Sequence, residues 1–130
     1  MDKTKQIIYF IPIFISLLFF LPECSFLGKL EAEVIIRDYI QDCDNINNRC
    51  GRIYIYYNIK NTGDRAFDYY SVLFMVRCED GSEYREWDFG YKVDVGEVVD
   101  DSVSLETKEK KVVDIVVDDV ILDFPHSYGG

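Results

Sequence analysis

The chain has 130 residues, enough for one small domain and a leader but not for a cleft between two large domains. Its 14 Lys and Arg against 24 Asp and Glu leave a formal charge of −10. A field of that sign repels phosphate backbones and anionic headgroups over about 8 Å at physiological salt, so no nucleic-acid partner is expected.

The N-terminus reads as an export leader over residues 1–23. Lys3 and Lys5 supply a basic start, and Ile7 to Leu21 is apolar apart from Pro12 and Ser16, the order of a secretory signal helix. A lasting membrane span needs about 20 apolar residues, and this run is shorter and carries a proline. Cys24 follows Leu21-Pro22-Glu23. Leu21 fits the third position upstream of a lipoprotein cysteine, whereas Pro22 and Glu23 depart from the small residues usual there. Lipidation of Cys24 is the reading adopted, and a multiply acylated cysteine would hold the domain to a membrane surface. Removing residues 1–23 takes away two bases and two acids, so the charge is unchanged. Residues 24–29 then act as a linker.

Residues 30–124 contain no proline and read as strands. Leu30 to Ile40 is apolar and β-branched with acids between. Arg52 to Lys60 alternates strictly, with Ile53, Ile55, Tyr57 and Ile59 on one face and Tyr54, Tyr56, Asn58 and Lys60 on the other, the mark of a half-buried strand. Asn61-Thr62-Gly63-Asp64 supplies a turn. From Tyr69 to Cys78, the residues Tyr70, Val72, Phe74, Val76 and Cys78 share a face, and Asp80-Gly81 predicts a hairpin. Tyr84 to Val95 and Val98 to Leu105 follow as strands. Thr107 to Lys111 reads as a solvated turn. Val112 to Phe124 changes phase midway, which a bulge at Asp118-Asp119 would explain. A helix there is disfavoured by its β-branched residues. The fold expected is an all-β, immunoglobulin- or fibronectin-III-like antiparallel sandwich of six or seven strands preceded by the signal helix, with residues 125–130 as a flexible tail.

Export permits disulfides. Cys43 and Cys50 flank the turn-rich DNINNR loop between strand-like segments, so they are expected to staple a hairpin. Cys78 lies in phase with core positions and reads as a small buried hydrophobe.

The run from Tyr54 through Tyr56-Tyr57-Asn58-Ile59-Lys60-Asn61-Thr62-Gly63-Asp64, then an apolar strand, an Asp-Gly turn and a Gly-Glu turn, resembles the FxLYD-type domain of secreted and envelope proteins. Asn58 to Gly63 is similar to its V-x-N-x-G turn. At the position of its name motif stands Phe74-Met75-Val76-Arg77-Cys78. Phe matches, Val replaces Leu, and Arg and Cys depart from Tyr and Asp. The resemblance implies a small immunoglobulin-like, noncatalytic module and carries no catalytic residues.

Chemistry is sparse in the sequence. The single histidine, His126, falls in the tail, a poor place for a catalytic triad. No zinc-type Cys/His spacing and no phosphate-cradling glycine run occur. No enzyme activity and no cofactor are expected. Asp114, Asp118, Asp119 and Asp123 cluster near the last strand and give an alternative, a calcium-dependent binding module using these carboxylates, although no EF-hand pattern is present. Tyr54, Tyr56 and Trp87 form a candidate contact patch for a protein or glycan. The function expected is therefore that of a noncatalytic, exported, lipid-anchored envelope domain acting by protein binding or structural placement, with the membrane as partner through its lipid.

Overall fold

The computed structural model describes residues 8–10, as backbone only, and residues 28–123. Seven strands run in chain order: β1 (Ile8–Phe10), β2 (Ala32–Asp44), β3 (Arg49–Asn61), β4 (Phe67–Cys78), β5 (Glu83–Val93), β6 (Val98–Leu105) and β7 (Val112–Leu122). They pair antiparallel in two sheets, ordered β1-β2-β3-β6 and β5-β4-β7. The hairpins β2–β3 and β4–β5 stay within a sheet, while the chain changes sheet after β3, β5 and β6.

Both alternating segments bury the faces that their period predicts. Ile53, Ile55, Tyr57 and Ile59 from β3 meet Tyr70, Val72, Phe74, Val76 and Cys78 from β4 in one core, closed by Val34, Ile36, Ile115, Val117 and Val120. Tyr57 and Phe74 touch at its centre, their ring centroids 4.8 Å apart.

The phase change in the last strand is a bulge: Leu73 pairs with Asp119 and Phe74 with Val117, leaving Asp118 as the extra residue. The Asp80-Gly81 turn forms as expected. Gly81 has a φ of 90°, and the Asp80 carboxylate accepts hydrogen bonds from the Ser82 amide and hydroxyl. At the other turn Asn61 does more than punctuate. It is buried, its amide donates to the Arg65 and Val93 carbonyls, and its oxygen accepts from Gly63 N–H. A Cβ on Gly63 would collide with the backbone of Lys29, so the turn depends on glycine there.

Within the expected leader, Ile8–Phe10 pair as a strand against Glu33–Ile35 at the edge of β2, which corrects the helical expectation for these three residues. Their β-branched and aromatic side-chain types favour a strand, and an edge strand offers unpaired amides to it. The rest of the leader, Cys24 and the tail from Phe124 onward, His126 included, lie outside the described residues. Among the described residues no helix is long and apolar enough to cross a membrane.

Candidate functional site

Two features stand apart from an ordinary apolar core, and both belong to β5. Its pairing places Tyr84, Glu86, Asp88 and Gly90 on the side facing the other sheet, opposite Val76, Phe74, Val72 and Tyr70 of β4. The outward side carries Arg85, Trp87, Phe89 and Tyr91. The strand thus turns its aromatic face to solvent and its carboxyl inward.

The outward face continues across β4 and β7. Tyr91 pairs with Tyr69, Phe89 with Ser71 and Trp87 with Leu73, while Ile121 and Asp119 of β7 flank Ser71 and Leu73 on the far side. Phe89 and Tyr91 are 64% and 73% exposed, well above what a covered ring would show. Trp87 and Phe89 stack at 6.5 Å, and Tyr69 and Tyr91 meet edge-on at 5.8 Å. At the other end of the face Arg77 bridges Glu83 and Asp114, and Arg85 reaches Asp118. The result is an aromatic field with one charged end.

The inward face holds a crossed network. The Tyr57 hydroxyl, from the first sheet, donates to Asp88 of the second at 2.6 Å, and the Tyr70 hydroxyl, from the second, donates to Asp101 of the first at 2.7 Å. Tyr57 and Asp101 are themselves neighbours across the β3–β6 ladder. Tyr70 lies over Gly90, where any Cβ would fall inside its ring, so glycine is what lets the ring cross to the other sheet. Burial pushes both phenols far above their usual range, and the carboxylates beside them add to the shift. Burial likewise pushes the Asp88 carboxyl up, with the nearby Asp101 carboxyl reinforcing the shift and the Tyr57 hydroxyl opposing it.

The residues singled out in the sequence are distributed as follows. Cys43 and Cys50 face each other across the β2–β3 ladder with their sulfurs 2.06 Å apart, a disulfide. Cys78 is buried and free, its thiol raised by burial. Tyr54 and Tyr56 stand exposed on the outer face of the β2-β3-β6 layer, beside Ile40 and the serines 102 and 104. Trp87 lies on the opposite side of the molecule, so the structure does not bring the three rings into one patch. The four aspartates are also dispersed. Asp114 pairs with Arg77, Asp118 with Arg85, Asp119 accepts from Val120 N–H, and Asp123 accepts from the amides of Asp68 and Tyr69. Among the described residues no group of three or more His, Cys, Asp or Glu is placed to hold a metal ion.

Sequence reasoning missed Asp88, Asp101 and the outward set of Tyr69, Phe89 and Tyr91. The signal lay in Trp87-Asp88-Phe89-Gly90-Tyr91, which alternates large aromatic with small or acidic residues. An aromatic row reads as the buried face by default, and nothing local in the sequence reverses that sense.

No family model matches the chain, and no curated protein is significantly similar to it. A solved structure described as the X-ray structure of Northeast Structural Genomics Consortium target SoR45 has a TM-score of 0.42 at 10% identity, over 76% of this chain and 82% of that one. A likeness of that size bears on neither fold family nor function.

Proposed function

We propose that this chain is an exported, noncatalytic immunoglobulin-like domain of the FxLYD type, tethered to a membrane by a lipid on Cys24, that binds a protein partner through the outer face of β5, β4 and β7. The exposed rings of Tyr69, Phe89 and Tyr91, with half-buried Trp87 stacked on Phe89, carry this reading. Monomeric surfaces seldom expose an apolar field of this kind without a use for it. Trp, Tyr, Phe, Met and Arg are the residues enriched at protein interfaces, and Met75, Arg77 and Arg85 complete the same face. The hairpin and sheet-crossing order supports the sandwich type. The basic, apolar leader and the Cys43–Cys50 disulfide support export.

Charge selects the partner's chemistry. With −10 on the whole chain and Asp114, Asp118 and Asp119 along the β7 side, a partner with an apolar centre and a basic periphery is steered in, and an acidic one is repelled.

A photo-crosslinking side chain placed at Phe89, and in a control at Tyr54, tests the surface in the native host. One defined protein adduct from position 89, absent from position 54 and weakened by salt, supports the proposal. Equal adducts from both positions, or none from 89, discards it. The tether is tested separately by the intact mass of the native protein, which must show a chain beginning at Cys24 with a lipid increment.

A further inference from the structure

The strand that lies against β2 belongs to the segment read as a leader. Ile8–Phe10 pair antiparallel with Glu33–Ile35, Tyr9 standing opposite Val34, and this short strand is what keeps β2 from being the edge of its sheet. The cover is slight, since β1 has 3 residues and β2 has 13. Removal of residues 1–23 takes β1 with it. The other side of β2 stays paired to β3 from Ala32 to Asp44, but the side that β1 occupied becomes a free edge, whose amides and carbonyls are a template for another strand.

The sequence of that edge indicates its occupant. It already accepts an antiparallel strand centred on Val34, and β2 is complementary to itself about the same residue. Laid antiparallel against a second β2 with Val34 facing Val34, the strand sets Glu33 opposite Ile35, Ala32 opposite Ile36 and Glu31 opposite Arg37. Ala32, Val34 and Ile36 are the buried, core-facing residues of this run, so on that side a small apolar residue meets a larger one. On the outward side Glu31 and Arg37 meet twice, once at each end, as opposite charges. Centring the pair on Glu33 would set that carboxylate against its own copy, which is unfavourable. The bulge at Arg37 bounds the run. Because each copy uses the same edge, the contact closes on a two-fold axis and does not propagate.

We propose that the Glu31–Arg37 edge of β2 binds the same edge of a second copy of this chain, and that Ile8–Phe10 cap it until the leader is removed. The mature pair then shares one sheet ordered β6-β3-β2-β2-β3-β6. The aromatic face of β5, β4 and β7 belongs to the other sheet and stays clear of the contact. The inference rests on the reading of residues 1–23 as a removable leader, but the edge can be tested without processing.

Sedimentation velocity in mild detergent compares the unprocessed full chain, the processed protein from its native host, and a full chain carrying Ile8→Pro with Tyr9→Pro. Successive strand residues point their N–H groups to opposite sides, so one of the two prolines removes a ladder donor whichever side β1 presents. The unprocessed wild type is expected to be monomeric and the other two dimeric. Added to the proline variant, Glu31→Arg or Arg37→Glu alone is expected to weaken association about tenfold, because two ion pairs become two like-charge contacts. The two reversals together are expected to restore it. Glu31 and Arg37 lie about 20 Å apart along one strand, so that rescue has to come from the second copy. A monomeric proline variant, an unprocessed wild type that dimerises equally, single reversals without effect, or a double reversal without rescue would overturn the proposal. A native protein that keeps Met1 overturns the leader reading instead, with the edge still decided by the proline variant.

Discussion

Strands β4 and β5 are partners in one hairpin and alternate equally well, yet they place their apolar sides in opposite directions. β4 lies between two neighbours and buries Val72, Phe74 and Val76 completely. β5 lies at the edge, sends Trp87, Phe89 and Tyr91 outward, and turns Asp88 to the core side. A central strand gains most by burying its larger apolar face, because both neighbours shield it. An edge strand can afford a polar inner face if each inward polar group finds a partner, as Asp88 does with Tyr57. Period therefore identifies two faces without saying which is the inside: β7, the other edge strand of this sheet, buries its apolar face, whereas β5 turns its aromatic row outward.

The contrast can be broken most severely at its apolar end. Phe74→Ala, which empties the site packed against Tyr57, is expected to cost about 3–5 kcal/mol in urea unfolding. Cys43→Ser with Cys50→Ser is expected to cost about 2–3 kcal/mol under oxidising conditions by freeing the short loop in the unfolded chain. The same pair under reductant should show no further loss. Gly90→Ala strikes the crossed tyrosine–carboxylate network by overpacking the Tyr70 ring and is expected to cost about 1–3 kcal/mol. Loss of the Tyr70–Asp101 hydrogen bond should be visible in the tyrosine near-ultraviolet absorbance.

Acid acts on the β4–β5 hairpin at its turn. Below about pH 4 Asp80 takes up a proton in the unfolded chain, while in the folded protein its carboxylate, held well below its usual range first by the Ser82 hydroxyl and then by Lys110, is protonated only in stronger acid. Its contribution, present above the unfolded carboxylate value, is lost as pH falls through the folded one. Exchange at the Gly81 amide should therefore quicken in strong acid, and Lys110→Met should bring that change to higher pH. The smallest effect is expected at the aromatic face: Tyr91→Ser should change stability by no more than about 0.5 kcal/mol while abolishing the proposed adduct from position 89. A large loss of stability there would show that the ring serves the fold and not a partner.

Much of the fold was legible because strict alternation and turn chemistry agree. The buried sides of β3 and β4, the Asp80-Gly81 hairpin, the disulfide hairpin and the Asp118 bulge all follow from residue types at fixed offsets. The site was harder to read. Tyr54 and Tyr56 are exposed as their phase implies, but nothing local says that Trp87 belongs to the other sheet, because that depends on where the chain crosses between layers. Asp88 and Asp101 are 13 positions apart and meet only because β5 and β6 end up on facing edges. The aspartates near the last strand share a stretch of sequence, but pleating and the bulge send them to different neighbours.

The bulges have a consequence for crowding. Arg37 is the extra residue where β2 slips against β3, and Asp118 is the extra residue where β7 slips against β4. Asp118 puts a charged side chain and a kink into the edge strand β7, which would otherwise present a straight row of free amides, and Arg37 does the same to β2 just beyond its pairing with β1. Crowded copies would thus be hindered from zipping together along β7 into fibres, and their aromatic faces would remain free for a different molecule.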